Sequence, residues 1–163
     1  MSAPSALTRR GLVATAAALA TVGATAGAGS APPSPRRIGS YGGAGSTGVP
    51  EVAAYEKWLG RPLSIVLDFL EMETWKGMVD EAGWMAGCWK GAGRDYLAVS
   101  VPMLVHEGSP TLKQGADGQF DSHYTSLAQK LVSSGFPTGV IRIGWEFNGG
   151  WYPWTARGNT GDY

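Results

Sequence analysis

The chain has 163 residues, with 13 basic and 13 acidic side chains and a formal net charge of zero. This balance indicates no polyanionic partner, so we expect no binding to nucleic acid. Cys88 is the single cysteine, which excludes a disulfide within the chain and favours a small, apolar packing residue. With two histidines and no spaced cysteine or carboxylate cluster, we expect neither a metal site nor a cofactor.

Residues 1–31 have the features of an export signal. Arg9 and Arg10 precede a run of mostly Ala, Val, Leu, Thr and Gly at residues 12–28, followed by small residues suited to signal cleavage. The pattern is similar to a bacterial twin-arginine signal and predicts a secreted, extracellular protein, whereas a disordered Ala-rich terminus is the alternative. The run is too weakly apolar for a stable membrane helix, so we expect no membrane partner after cleavage. A Pro-rich spacer, residues 32–37, comes next.

Alternating strand and helix patterns follow, and we predict one domain over residues 38–163. Apolar residues recur at helical spacing after Thr74, a predicted helix cap. The predicted strands are residues 37–41, 64–69, 96–101 and 140–146, and the predicted helices are residues 50–59, 75–89 and a stretch from Asp121 or Ser122 to Gly135. This βαβαβαβ order predicts an α/β fold, with a parallel sheet and helices outside it.

Polar residues stand where the predicted strands end. Asp68 lies near the end of the second strand, His106 follows the third, and Glu146 ends the fourth. Parallel strands bring their carboxyl ends to one edge of the sheet, where α/β folds build their sites. We therefore predict that Asp68 and His106 bind substrate, and we expect Arg142 to anchor inner carboxylates such as Asp68.

The fourth strand carries the most informative pattern in the chain. Apolar and polar residues alternate from Ile141 to Glu146, which predicts that Glu146 ends the strand on the face opposite to Trp145. A carboxyl group in this position can protonate the bridging oxygen of a glycosidic bond. A lone glutamate after a strand is more often a solvated surface residue, so its neighbours decide between the two interpretations.

Large aromatic rings stand next to Glu146 in the sequence. Such rings can simply close the end of a core, but four of them with two glycines exceed what an ordinary solvated loop contains. Pyranose rings have apolar C–H faces that lie flat on Trp and Tyr. We therefore predict a sugar-cleaving site with Glu146 as its catalytic residue. The predicted substrate-binding residues are Trp145, Asn148, Trp151, Tyr152 and Trp154, together with Asp68 and His106.

The length of the chain bears on the architecture. A (β/α)8 barrel needs ~250 residues, whereas this chain has 163 and shows four strand patterns. We expect the N-terminal half of a TIM barrel, about four βα units, that ends in the loop after the fourth strand. A complete small doubly wound domain is the alternative, and the missing helix pattern after the fourth strand counts against it.

The chain resembles glycoside hydrolase family 26, whose best-known members are secreted β-mannanases, and it is similar to the exported actinobacterial type. The resemblance extends from about Ile38 to the end of the chain. The residues that match the family's Arg…Glu-x-Asn-Gly-x-Trp-x-x-Trp pattern are Arg142, Glu146, Asn148, Gly149, Trp151 and Trp154. The family usually has a sugar-contacting histidine where this chain has Trp145, and the substrate stays open among β-mannan, β-1,3-xylan and mixed β-glucan.

This resemblance implies that residues 38–163 are part of the catalytic domain of a retaining endo-β-glycanase of the β-mannanase type. Glu146 matches the family's general acid/base, and the partner would be a β-linked polysaccharide or oligosaccharide. The nucleophile is expected on a late strand beyond residue 163. Glu71 and Glu107 lie at the same predicted edge but are interpreted as loop acids. We therefore expect the 163-residue chain alone to be inactive.

Two alternatives stay open from the sequence. A non-catalytic carbohydrate-binding half-domain would use the Trp-rich loop equally well, although such modules are usually β-sandwiches rather than α/β folds. A truncated gene remnant that does not fold is the other. The helical stripes argue against the first alternative, and a cooperative unfolding transition would argue against the second.

Overall fold

The structure, a computed structural model, describes residues 37–161. The predicted export signal, and all of the predicted spacer except Arg37, lie outside these residues. Within them, strands and helices alternate along the chain. The elements are β1 (Gly39–Ser40), α1 (Gly45–Leu59), β2 (Ile65–Phe69), α2 (Trp75–Gly91), β3 (Leu97–Val101), α3 (Leu112–Ala116), α4 (Asp121–Ser133) and β4 (Gly139–Ile143).

The strands of the described region form a parallel sheet. Their order across the sheet is their order along the chain, β1-β2-β3-β4, and each strand pairs in parallel with its predecessor. The prediction of an α/β fold with a parallel sheet is therefore confirmed. Register places Phe69 beside Ser100 and Ser100 beside Arg142, so these residues share one surface of the sheet. We call this surface the inner face, and the opposite surface, which carries Val66 and Val99, the helix face.

The main core lies between the helix face and three of the helices. Helix α2 contributes more buried residues to it than any other element, because its apolar residues recur at a spacing of three or four and so line one side. The buried residues of α2 are Trp75, Met78, Ala82, Met85, Ala86 and Trp89. Thr74 caps this helix, as predicted, since its hydroxyl oxygen accepts a 2.9 Å hydrogen bond from the N–H of Gly77.

Helix α1 begins at Gly45, five residues earlier than the predicted start at Pro50. The reason is close packing against α2. A Cβ on Gly45 would lie 2.3 Å from the Trp84 ring, and a Cβ on Gly48 would lie 3.0 Å from the Trp89 ring. The glycine-containing segment from Gly45 to Gly48, which lies outside the predicted helix, is therefore the first turn of a helix that approaches α2 closely. Pro50 lies inside this helix, where its ring removes one backbone donor.

Three other boundaries differ from the predictions. The short helix α3 was not predicted, although Thr111 and Gln114 form a capping box at its start. Phe120 occupies the cap position of α4 without a side-chain hydrogen bond, so the predicted caps Asp121 and Ser122 are wrong. Strand β4 ends at Ile143 and does not continue to Glu146.

Asp68 is the central polar group of the described fold. Its side chain has no exposed surface, and it lies on the helix face of β2. Its Oδ2 accepts hydrogen bonds of 2.8 Å from the N–H of Gly45 and 2.7 Å from the indole N–H of Trp89, while Oδ1 accepts one from the N–H of Phe69. One carboxylate thus joins β2, the start of α1 and the end of α2. Ala44, at the cap position of α1, has no side-chain acceptor. Asp68 therefore supplies the acceptor for the N–H of Gly45 from across the core.

A second polar contact ties the opposite end of α1 to the chain between α2 and β3. Arg94 donates two hydrogen bonds of 2.7 and 2.6 Å to the two carboxylate oxygens of Glu56. The N–H of Leu63 donates to the same carboxylate. The Arg94 guanidinium holds the pKa of the Glu56 carboxyl below its usual range, which shows that the pair favours the ionised form. Because both side chains are largely buried, this pair stabilises α1 against the sheet more than an exposed pair would.

We predict that Asp68→Asn destabilises the fold. An amide in place of the carboxylate sets an NH2 group against at least one buried N–H donor, which costs about 1–3 kcal/mol of unfolding free energy. Urea denaturation of the two proteins measures the difference. Asp95→Asn is the matched control, since Asp95 is an exposed acid paired with Lys90 and its loss changes stability by about 0.5 kcal/mol or less. Equal urea midpoints for Asp68→Asn and the unmodified chain would contradict the role given to Asp68.

Glu81 generates a pH-dependent prediction. Its half-buried carboxylate accepts a hydrogen bond from the N–H of Glu71, and burial, together with the charges of Glu71 and Asp68, raises its pKa above 4.5. The folded chain therefore holds this proton more tightly than the unfolded chain, and stability is lost as pH rises from 4.5 through the folded pKa.

The substitution Glu81→Gln removes that loss while keeping an acceptor oxygen for Glu71. We expect it to unfold at higher urea than the unmodified chain at pH 7, with the difference disappearing below the ordinary glutamate pKa. Glu51→Gln, at an exposed acid on α1, is the control and leaves the midpoint nearly unchanged at both pH values. A lower urea midpoint for Glu81→Gln at pH 7 would refute the prediction.

Candidate functional site

The carboxyl ends of the strands carry a second, smaller apolar cluster that forms the base of the candidate site. Leu104 after β3 and Trp145 after β4 are buried in it, and Phe69 at the end of β2 packs against them. The remaining members are Leu112 and Trp154, which are buried, and Met72, Met103, Phe120 and Tyr152, which are partly buried. This cluster covers the edge of the sheet where the sequence predicted a site.

A continuous row of aromatic rings crosses this edge. The centroid of the Tyr41 ring lies 5.0 Å from that of Phe69, and the Phe69 ring lies 5.2 Å from that of Trp145. Trp145 contacts Trp154 at 4.8 Å, and Tyr152 stacks on Trp154 at 4.6 Å with an interplanar angle of 5°. We call these five rings the aromatic row. Their edge-to-face and stacked contacts link the loops after β1, β2 and β4 into one surface.

The rings of the aromatic row differ in exposure, because some are buried and support the surface whereas others are accessible. Trp145 is 7% exposed and Trp154 has no exposed surface. The indole N–H of Trp154 donates a 2.8 Å hydrogen bond to the carbonyl of Trp145, which satisfies its buried donor. These two predicted substrate-binding residues therefore lie below the surface as its support. Tyr152 is half-buried between this support and solvent.

Glu146 lies in a turn beyond the end of β4. The strand pattern breaks at Gly144, whose φ is +60°, and Glu146 itself has a φ of +52°. The N–H of Gly149 donates a 2.9 Å hydrogen bond to the carbonyl of Glu146, which closes the turn. The predicted strand alternation through Glu146 is therefore wrong, because two left-handed residues turn the chain after Ile143. The turn leaves the Glu146 side chain exposed at the carboxyl edge of the sheet.

Trp151 joins Glu146 directly. Its indole N–H donates a 2.9 Å hydrogen bond to Oε2 of Glu146, and the side chain is 69% exposed. A non-glycine residue with a left-handed backbone that also carries a partnered carboxylate is a strained arrangement, and such strain is concentrated at functional sites. The structure thus brings together the predicted catalytic carboxylate and one predicted sugar-stacking ring.

Asp68 and Arg142 lie on opposite faces of the sheet. Arg142 is on the inner face, where its guanidinium donates a 3.2 Å hydrogen bond to the hydroxyl oxygen of Ser100 and lies 5.6 Å from the Phe69 ring centroid. Asp68 is on the helix face, and its carboxylate is occupied by backbone and indole donors. The expected anchoring of Asp68 by Arg142 is therefore wrong. Asp68 is also not among the residues that the structure gathers at the candidate site.

His106 lies at the same edge of the sheet but in a different part of it. Its Nδ1 is 3.2 Å from Oε2 of Glu73, and its backbone N–H donates to the carbonyl of Met72. These contacts tie the loop after β3 to the loop after β2. Asn148 is exposed on the turn that carries Glu146. His106 and Asn148 are thus both accessible to a ligand at this edge, and Asn148 is adjacent to the carboxylate in the chain.

Three accessible rings at this edge were not predicted. Tyr41 is 50% exposed after β1, Phe147 is 52% exposed beside Glu146, and Phe69 is half-buried at the end of β2. The signal available in the sequence was position. Tyr41 and Phe69 end predicted strands, and Phe147 directly follows Glu146. A purely local pattern does not show that Tyr41 reaches Phe69 across the sheet.

Over residues 37–161, no group of three or more His, Cys, Asp or Glu side chains is arranged to hold a metal ion. No helix in the same range is long and apolar enough to cross a membrane. Around the turn after β4, the accessible groups are the Glu146 carboxylate, the Asn148 amide and the rings of Phe147 and Trp151.

No protein-family model matches the chain, and no curated protein matches it either. The function is therefore proposed from the chemistry of the site itself.

The backbone of Glu146 generates a stability prediction. Glu146→Gly and Glu146→Ala both lose the hydrogen bond to Trp151, so only their backbone preference differs. We expect Glu146→Gly to be about 0.5–1 kcal/mol more stable than Glu146→Ala, since glycine adopts a φ of +52° without the Cβ clash, an effect partly offset by its greater unfolded-state entropy. Urea denaturation measures both variants. If the glycine variant were less stable than the alanine variant, the left-handed backbone at this residue would be wrong.

Proposed function

We propose that this protein is an exported, retaining glycoside hydrolase of the endo-β-glycanase type, with Glu146 as its general acid/base. The observation that carries the proposal is the pairing of Glu146 with Trp151 beside the aromatic row. The exposed Glu146 carboxylate lies beyond the carboxyl end of a parallel strand. Its oxygen accepts a hydrogen bond from the indole N–H of the exposed Trp151. This arrangement combines a proton donor with an apolar surface for a pyranose ring.

The chemistry follows from this pairing. In the first step, Glu146 as a carboxylic acid gives its proton to the bridging oxygen as the glycosidic bond breaks. A second carboxylate, ~5–5.5 Å away in retaining enzymes, attacks the anomeric carbon and forms a glycosyl-enzyme. Glu146, now ionised, then takes a proton from the water that releases the sugar. Glu146 serves both steps because the attacking water takes the place of the bridging oxygen. The proton therefore moves between the same two positions in the opposite direction.

Nearby acids in the described region have other contacts. An oxygen of Glu107 lies 3.3 Å from the N–H of Trp75 and accepts from it at the start of α2. Glu71 lies close to Thr74 and Gly77, also at the start of α2. These contacts place both carboxylates next to the N-terminus of α2, where a negative charge is stabilised. We therefore interpret Glu71 and Glu107 as groups that stabilise this helix end, not as nucleophiles. We therefore propose that the nucleophile comes from a part of the protein beyond residue 163.

We further propose that the described βα units are the N-terminal half of a (β/α)8 barrel. The strand order is sequential and parallel, as in a barrel, whereas doubly wound sheets reverse their order at a switch point. The described region also carries exposed apolar groups on an outer strand and on a helix. Ile141 and Ile143 of β4 are 51% and 61% exposed, and on α1 Tyr55 stacks on the 77% exposed Trp58.

A groove supports the same proposal. It has a volume of about 180 Å³ and lies between β4 and α4. Its lining is almost entirely apolar and consists of Val101, Tyr124, Leu127, Ala128, Leu131, Ile141 and Ile143. Apolar surface along an outer strand is costly in water, and further βα units that closed the barrel would cover it.

The substrate is proposed to be a β-linked polysaccharide or oligosaccharide. The resemblance of the residue 142–154 motif to family 26 leaves three candidate substrates, β-mannan, β-1,3-xylan and mixed β-glucan. The second candidate function is carbohydrate binding without cleavage. It is favoured by the high exposure of Trp151, a ring that would serve binding whether or not cleavage follows.

A matched pair of variants tests the catalytic proposal. We expect the protein encoded by the complete gene to release reducing sugar from a β-linked glycan, and Glu146→Gln to lower kcat about 10²–10⁴-fold while substrate binding is retained. The Gln variant keeps the shape of the side chain but has no proton to give. Glu51→Gln, at an exposed acid on α1, is the control and should leave kcat unchanged.

The outcomes separate the two candidate functions. Binding of β-linked oligosaccharides by the unmodified protein without any release of sugar would establish the binding function and exclude the enzyme. Full activity of Glu146→Gln would show that another group is the acid. Absence of both binding and cleavage with mannan, xylan and glucan substrates would overturn the whole proposal.

A further inference from the structure

We infer that Glu146, Gly149 and Trp151 form a positioning unit, in which Trp151 holds the Glu146 carboxylate and a sugar bound on Trp151 is thereby set beside that carboxylate. The inference rests on the proposed function and deepens it. It assigns to Trp151 a second role, as a positioning residue that acts through Glu146, in addition to stacking on sugar.

The first support is the seat of the indole. Gly149 is buried, and a Cβ built on it would lie 2.4 Å from Cζ2 and 2.5 Å from Cε2 of Trp151. The Trp151 ring therefore occupies the space that any side chain at residue 149 would need. Gly149 is not among the glycines with a left-handed φ. Its lack of a side chain is thus required by the ring and not by the backbone conformation.

The second support is the direction of the indole. With the ring seated on Gly149, its N–H donates to Oε2 of Glu146 at 2.9 Å. The N–H of Gly149 also donates to the carbonyl of Glu146, so backbone and side chain of the turn close on the same residue. Glu146, which accepts in both hydrogen bonds, has a left-handed backbone with a φ of +52°. The packing of the ring on Gly149, the indole hydrogen bond and the backbone hydrogen bond therefore converge on one residue.

The consequence for a bound sugar follows from the exposure of Trp151. The ring is 69% exposed, so its accessible part can receive a pyranose while its N–H remains on Glu146. A sugar stacked there has its glycosidic oxygen close to the carboxylate without any further movement. Positioning of this kind lowers the entropic cost of reaching the reactive geometry.

The experiment uses two neighbouring glycines as a matched pair. A Cβ on Gly150 would meet nothing within 4 Å, and neither glycine has a left-handed φ, so Gly150→Ala controls for the added methyl group. The readout is the Trp151 indole N–H resonance of the 163-residue chain labelled with ¹⁵N-tryptophan, assigned by its loss in Trp151→Phe. It reports hydrogen bonding directly, which a general loss of stability would not mimic in a chain that stays folded.

We expect Gly149→Ala and Glu146→Ala each to shift the Trp151 indole resonance to the position of a free, exposed indole and to speed its exchange with water. Gly150→Ala should leave the resonance and its exchange unchanged. A Trp151 resonance that is the same in the unmodified chain, Gly149→Ala and Glu146→Ala would overturn the positioning unit. If Gly149→Ala does not fold, Trp151→Phe decides, because loss of the donor should shift the ¹³C resonance of the Glu146 carboxylate, and no shift would overturn the inference.

A sugar titration separates this inference from the proposed function. The titration uses the protein encoded by the complete gene, because the 163-residue chain is proposed to be half of the barrel. With β-linked manno-, xylo- and gluco-oligosaccharides as probes, Gly149→Ala should weaken binding about tenfold, whereas Gly150→Ala should change it less than twofold. Failure of the unmodified protein to bind any probe, with the resonance shifts as expected, would count against the proposed function while the hydrogen-bonded unit stands. Tight binding that Gly149→Ala leaves intact would overturn the link between the seat of Trp151 and the sugar.

Discussion

The buried carboxylate of Asp68 is the interaction on which the arrangement of the described fold depends. It is the point where β2, the start of α1 and the indole of Trp89 on α2 meet. A buried ionic group is stable only when its oxygens are well supplied with donors, and here backbone and indole N–H groups supply them. The requirement fixes how α1 and α2 sit on the helix face. It also accounts for the close approach of the Gly-rich start of α1 to α2.

The carboxyl edge of the sheet depends on that arrangement. Once β1, β2 and β4 are in parallel register, Tyr41, Phe69 and Trp145 follow their strands at the same edge and come into ring contact. Buried Trp154 supports Trp145 from below through its indole N–H. The rings that look alike in the sequence thus have different tasks. Trp145 and Trp154 hold the surface in place, whereas Trp151 is accessible to a ligand.

Strain and function meet at the turn after β4. The left-handed backbone of Glu146 opposes stability, and the turn is kept by a backbone hydrogen bond from Gly149 and by the indole of Trp151. A sequence selected only for stability would place glycine or asparagine at such a position. The presence of a glutamate there is consistent with a chemical role for its carboxylate. The left-handed glutamate and the aromatic row beside it are the basis of the proposed hydrolase.

The sequence by itself determined the α/β class, the parallel sheet and the buried stripe of α2, because these follow from local periodicity and from the order of elements. It also singled out Glu146 and Trp151, whose contact the structure then showed. Only the tertiary structure decided that β4 ends at Ile143, that Asp68 points to the helix face and that Trp145 and Trp154 are buried. Alternation in a sequence does not record a left-handed residue such as Gly144, which ends a strand abruptly. Burial of a ring is set by residues from other strands and loops, and no local pattern contains that information.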